Sequence, residues 1–114
     1  MRSIICKFRL SDHKLEIEKG RHHKIPAKSR LCKICNSTLV EDEKHFILQC
    51  PLYNLLRHDL FSEAAKHINN YRNLTEEQQF KEIMSNKTLI IALGKYIKLS
   101  NIKREHHLQN THNI

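Results

Sequence analysis

Three cysteines and one histidine fall within a span of 19 residues: Cys32, Cys35, His45 and Cys50. Three thiolates and an imidazole are the soft donors that a tetrahedral zinc ion takes. In Cys32-Lys33-Ile34-Cys35 the two intervening residues let one tight turn point both sulfurs at one ion. The metal itself lowers the thiol pKa enough to keep the sulfurs deprotonated. Such a set fills four coordination positions and leaves none for water or substrate, which makes the expected site structural and not catalytic. Three thiolates against a dication leave one net negative charge, and Arg30, Lys33 and Lys44 stand close enough in sequence to offset it. A redox dithiol would need neither His45 nor Cys50, and no strand–helix pattern surrounds the pair.

The chain must bend for these donors to meet. On one continuous α-helix, residues five apart such as His45 and Cys50 would point about 140° apart around the axis. The helix is therefore expected to end before Cys50, and Pro51 gives the reason, since a residue preceding proline is disfavoured in the α region. Pro51 is also well suited to open the next helix. Zinc would then clamp a joint between two helices to the Cys32–Cys35 turn. In small finger peptides zinc contributes roughly 10–16 kcal/mol, more than the ~5–15 kcal/mol net stability of a typical domain. The N-terminal half is expected not to fold without metal.

The elements around the cluster are read from periodicity. Ile4, Ile5, Phe8 and Leu10 share a helical face, as in the closing turns of a helix, and Cys6 reads as a small buried hydrophobe. Leu15 and Ile17 alternate with polar residues, which predicts a short extended segment ending at Gly20. Arg21, His22, His23, Lys24, Lys28, Arg30 and Lys33 then form a basic stretch around Ile25-Pro26, the candidate contact with phosphates. His13, His22 and His23 read as surface residues. Asn36-Ser37 offers a polar turn, and Glu41, Asp42 and Glu43 suit the first turn of a short helix carrying His45, Phe46 and Leu48.

Beyond Pro51 the helical signal is stronger. Leu52, Leu55 or Leu56, Leu60, Ala64 and Ile68 recur at helical spacing, with Tyr53 and Phe61 broadening the face and Asn69-Asn70 as the stop. Arg57, His58 and Lys66 are expected to be exposed. Thr75-Glu76-Glu77-Gln78 has the capping-box pattern and opens a helix with Phe80, Ile83 and Met84 on one face. Leu89, Ile90, Leu93, Tyr96 and Ile97 mark a last helix with Gly94 as a weak spot, and the polar tail after Arg104 is expected to fray. The predicted fold is mainly α: a small zinc-pinned turn or hairpin followed by three to four helices. It divides into a zinc-binding module at 1–70 with its core at 30–69, a helical segment at 71–104 and a flexible tail at 105–114.

Composition narrows the partners. Twenty basic residues against 12 acidic ones leave a net charge of +8, which favours nucleic acid or an anionic membrane surface. No run of 18 apolar residues occurs and the opening MRSIIC is too short for a signal peptide, so the expectation is an intracellular chain with no membrane span. Four cysteines then suit metal binding in a reducing compartment better than disulfides.

Several runs carry a resemblance: Lys14-Leu15-Glu16-Ile17-Glu18-Lys19-Gly20-Arg21, Ile25-Pro26, Arg30-Leu31-Cys32-x-x-Cys35, Glu41-Asp42-Glu43-x-His45-Phe46, and Cys50-Pro51-Leu52-Tyr53 with Leu56-Arg57. Together they resemble the zinc-binding region at the C-terminal end of non-LTR retrotransposon reverse transcriptases. The likeness is close as far as Phe61 and looser through Leu93-Gly94-Lys95-Tyr96-Ile97. It implies a nuclear module that follows a polymerase domain and assists binding of RNA or DNA, with Cys32, Cys35, His45 and Cys50 as the ligands of one structural zinc. Nine residues separate Cys35 from His45, so this is not the compact retroviral knuckle. The chain has neither a paired-aspartate polymerase motif nor a nuclease carboxylate constellation, and it is expected neither to polymerise nor to cut.

Overall fold

A computed structural model describes residues 2–9, 13, 15–35 and 37–112. Leu10, Lys14 and Asn36 lie outside them, as do the side chains of His22 and His112. The fold is mainly α, with five α-helices among the described residues: α1 (Arg2–Arg9), α2 (Glu16–His22), α3 (Asn54–His67), α4 (Glu76–Ser85) and α5 (Ile90–His112). A small hairpin, closed by one antiparallel bridge between Leu31 and Val40, sits between α2 and α3.

Helix α5 is the spine. Its 23 residues make a rod about 34 Å long, against which α1 and α3 both pack. Leu89, Leu93, Tyr96 and Ile97 are buried there with Ile5 and Phe8 of α1 and Leu60 and Ala64 of α3, and the metal-donor residues Cys32 and Cys50 belong to the same cluster. Phe46 is the hub of its aromatic part, with ring centroids 5.7 Å from Phe8, 5.0 Å from Tyr53 and 5.7 Å from Tyr96. Each such tilted or edge-on pair contributes about 0.5–1.5 kcal/mol beyond its buried area. Because Phe46 follows His45 directly, this packing fixes the backbone that carries the imidazole.

Several expectations are corrected. Residues 16–22 are a helix and not an extended segment. Glu16 and Glu18 stand in its first turn, where negative charge is favourable, and its leading N–H groups are capped from a distance, Glu16 N donating to Glu41 Oε1 (2.7 Å) and Ile17 N to the Glu41 carbonyl (3.0 Å). An alternating pattern over six residues could not reveal a cap 25 residues away. Position 20 lies inside α2 and is a glycine there because a Cβ would fall 2.3 Å from Arg30 Cγ. Cys6 is exposed, since α1 turns Ile5 and Phe8 inward instead. His13 is not a surface residue: its ring stacks on Phe8 at 5.4 Å and its Nε2 lies 2.9 Å from Glu43 Oε1. Of the two candidate leucines in α3, Leu56 packs against the core and Leu55 is 81% exposed. The capping box at Thr75 has both of its hydrogen bonds, Gln78 N to Thr75 Oγ1 and Thr75 N to Gln78 Oε1.

The C-terminal end is also different from its expectation. Helix α5 passes through Gly94 without a break and runs on beyond Arg104 to His112. Arg104, 2% exposed, is the reason: its Nε and Nη2 donate to Glu41 Oε2 (2.9 Å) and Oε1 (2.7 Å). Burial works against the charged guanidinium, but the bonds to Glu41 outweigh it and hold the Arg104 pKa above its ordinary value. Removing one member of such a pair strands the other as a buried charge, at a cost of about 3–5 kcal/mol. Arg104→Ala should therefore lower the urea midpoint of the metal-loaded protein sharply, read by circular dichroism, and an unchanged midpoint would refute this role.

Candidate metal centre

The hairpin supplies the first two donors. Cys32 N donates to the Leu39 carbonyl (2.8 Å) and Glu41 N to the Arg30 carbonyl (3.0 Å), so the two arms hold the Cys32–Cys35 turn rigid. Thr38 takes a left-handed φ of 62° where the return arm begins. Inside the turn the Ile34 and Cys35 N–H groups favour the thiolate form of Cys32.

The other two donors come from an unusual turn. Asp42 Oδ1 accepts from His45 N (2.8 Å) and so starts it. Residues His45–Gln49 then form a π-helical turn, closed by Cys50 N donating to the His45 carbonyl at 2.9 Å. The wider i→i+5 ring brings residues five apart back to one side, which the tighter α-helix cannot do. Cys50 leaves the turn extended (φ −65°, ψ 123°), and Pro51 opens a 3-10 turn, Pro51–Tyr53, that leads into α3. The break before Cys50 lies where the sequence predicts it. The π turn is the part that spacing did not foresee.

Breaking the chain here leaves carbonyls without partners, and Arg57 takes them up. It is 6% exposed, contrary to the expectation that it would face solvent. Its Nε donates to the Ile47 carbonyl (2.8 Å), Nη2 to the Cys50 carbonyl (2.8 Å) and Nη1 to Asn54 Oδ1 (2.7 Å). The Tyr96 hydroxyl, from α5, donates to the Phe46 carbonyl in the same place. Burial pushes that hydroxyl up to about 12 despite the Arg57 charge beside it, so it keeps its proton at neutral pH.

The donor atoms of Cys32, Cys35, His45 and Cys50 all lie within 4.8 Å of one another, with Cys35 half-buried and the other three buried. Cys35 Sγ and His45 Nε2 are 3.4 Å apart. Bond lengths of about 2.3 Å to sulfur and 2.0–2.1 Å to nitrogen give tetrahedral edges of roughly 3.5–3.8 Å. The set could hold one metal ion. Its tautomer is prepared as well, because His45 Nδ1 donates to Gln49 Oε1 (3.1 Å), leaving Nε2 for the ion, and Gln49 is tied to Glu76 Oε2 of α4 (2.7 Å).

The charges around the cluster are not those the sequence proposed. Lys33 pairs with Glu16, Lys44 with Glu77, and Arg30 is spent on the carbonyls of Ile25 (2.8 Å) and Ile17 (3.0 Å). Arg57 and Arg104 are the buried cations nearby. Cys32 Sγ lies 3.9 Å from Glu41 Oε2, so the Arg104 charge neutralises a carboxylate that would otherwise repel a thiolate. Without metal, the hydrogen bond from Cys50 draws the Cys32 pKa down and pushes that of Cys50 up. Burial opposes charge on His45, but its bonds to Cys32, Gln49 and Cys35 outweigh that and raise its pKa from 6.5 to about 9.

Of the candidate phosphate contacts, Arg21 is paired with Glu18 (2.8 Å), while Lys24 and Lys28 are exposed and form no ion pair among the described residues. Gln49 could have been found from sequence, being four residues after His45 on one helical turn. Nothing local announces Arg57, Glu41 or Arg104. Comparison of the chain with protein-family models, with curated proteins and with solved structures finds no match.

Two outcomes follow for the centre. Gln49→Ala should weaken metal binding by about 10–100-fold in competition with a chromophoric chelator, the usual cost of losing a group that orients a histidine ligand. Equal affinities would exclude it from that role. In the metal-free chain the raised His45 pKa contributes stability that is present below pH 6.5 and lost as pH rises through about 9. Metal needs the neutral ring, so at pH 7 loading must expel protons from His45 and from the thiols. Calorimetry in buffers of different ionisation enthalpy should show net proton release.

Proposed function

We propose that the chain is a zinc-stapled nucleic-acid-binding module without catalytic activity of its own, like the region following the polymerase domain in non-LTR retrotransposon reverse transcriptases. The observation that carries this reading is the donor set itself: three cysteine sulfurs and one imidazole gathered on a hairpin and a chain break, most of them buried. Soft thiolates with imidazole in tetrahedral array select zinc over harder ions, and four protein donors leave no open position for a substrate. The bound ion would lock the hairpin to the joint and hold it there.

The electrostatics point to the partner. A net charge of +8 favours a polyanion. Lys24 and Lys28 stand exposed on the segment between α2 and the hairpin. Contacts of this kind are to phosphates, serve RNA and DNA alike and carry no sequence information by themselves. No helix among the described residues is long and apolar enough to cross a membrane. The reading puts the work of the chain inside the cell, in the nucleus.

A second reading, a cap that packs on a polymerase domain, is favoured by a specific observation. Leu55, Ile91 and Ile102 are 81%, 74% and 53% exposed, and Ile91 lines a groove of about 600 Å³ between α3 and α5. Leu55→Lys with Ile91→Lys would abolish association with such a domain and leave nucleic-acid binding intact.

Metal analysis of the purified protein should find one zinc per chain, and Cys50→Ser should lose it. Binding of a single-stranded oligonucleotide, followed by fluorescence anisotropy, should weaken steeply with salt and disappear on chelation. Association that ignores salt, or none with either RNA or DNA, would overturn the nucleic-acid reading.

A further inference from the structure

A groove of about 620 Å³ lies beside the metal hairpin, walled by α2, the Ile25–Ser29 segment and the first arm of the hairpin. Three kinds of surface meet in it. Ile25 and Leu31 present apolar faces, 39% and 37% exposed. Lys19, His23 and Lys33 stand around it, with Lys24 and Lys28 on the adjoining chain. The third surface is a carboxylate. Glu16 lines the groove and is only 8% exposed. Its Oε1 holds Lys33 Nζ at 2.9 Å, and its Oε2 is buried with no hydrogen-bond partner.

A seat for phosphate alone would not have in its wall a carboxylate held at one oxygen by a single, largely exposed lysine. An ionised carboxylate only accepts hydrogen bonds, so the ligand must bring N–H donors to Glu16 as well as negative charge for the lysines. Apolar walls call for a flat ring between the two. A nucleotide within a single strand meets all three demands, since its unpaired base can be splayed out and read on its Watson–Crick edge. Among the bases, guanine carries an imino and an amino N–H side by side, two parallel donors for one carboxylate. Thymine and uracil carry one imino N–H between two carbonyl oxygens, which a carboxylate repels.

We propose that this groove seats one guanine of a single-stranded nucleic acid, with its Watson–Crick edge on the Glu16 carboxylate and the adjoining phosphates on Lys24, Lys28 and Lys33. Lys33 makes the exchange possible. Its side chain is 73% exposed, so the ammonium can leave Glu16 for a phosphate as the base takes over the carboxylate. The carboxylate then exchanges its ion pair for two hydrogen bonds from the base, while the ammonium pairs with a phosphate. The hairpin arm forms one wall, so the groove depends on the metal that holds the hairpin. This inference rests on the nucleic-acid reading above and adds to it a preferred base.

The test compares a thymine-only oligonucleotide with an alternating thymine–guanine one of equal length, on the zinc-loaded full chain, by fluorescence anisotropy. The wild type should bind the guanine-containing strand about tenfold more tightly, the size of one good base-edge contact. Glu16→Gln keeps the size of the side chain and removes its charge, and it should erase that preference while its zinc content and thermal midpoint show it folded. The double variant Lys24→Glu, Lys28→Glu, which needs no buried change, should weaken both strands in parallel and keep the preference. Binding without preference in the wild type, or a preference that survives in Glu16→Gln, overturns the guanine seat alone. Binding to neither strand overturns it together with the nucleic-acid reading.

Discussion

The structure depends on how the backbone is satisfied where it breaks, between Gln49 and Pro51. A helix that stops leaves carbonyls unpaired, and buried ones are costly unless something donates to them. Here the donor is a buried guanidinium. Arg57 reaches back from α3 to the carbonyls of Ile47 and Cys50, and Tyr96 reaches across from α5 to that of Phe46. Those bonds allow Cys50 to leave the helical path and face the hairpin. They also couple the centre to the long helix, so the donor set is tied to the core through Arg57 and Tyr96.

A second contact joins α2 and the hairpin to α5. Glu41 accepts from the start of α2, donates its own N–H to the Arg30 carbonyl and pairs with Arg104 near the far end of α5. A buried ion pair of this kind adds little net stability over an apolar replacement, but it penalises any arrangement that separates the partners. Its value here is positional. It ties the hairpin and α2 to α5 and neutralises a carboxylate lying close to the Cys32 sulfur. The lysines nearest the cysteines in sequence serve other carboxylates, and of the candidate phosphate contacts the exposed Lys24 and Lys28 form no ion pair among the described residues.

The groove beside the hairpin shows how metal and surface are linked. One of its walls is the hairpin arm and the other is α2, and the two are joined through Arg30 lying over Gly20. A glycine that reads as the end of a strand is instead the place where a long side chain passes. The same guanidinium that looked like a phosphate contact is an internal strap.

The sequence by itself determined the donor set, the break before Cys50, the capping box at Thr75 and the apolar faces of α3 and α5. Each of these rests on spacing along the chain or on the local geometry of one residue type, such as proline or a capping threonine. Tertiary structure decided the rest. The π turn, the partial burial of His13, the burial of Arg57 and Arg104, the helical form of residues 16–22 and the length of α5 all follow from partners 10 to 63 positions away. Local periodicity carries no record of such partners, because a charged side chain is written the same way whether it meets water or a buried carboxylate.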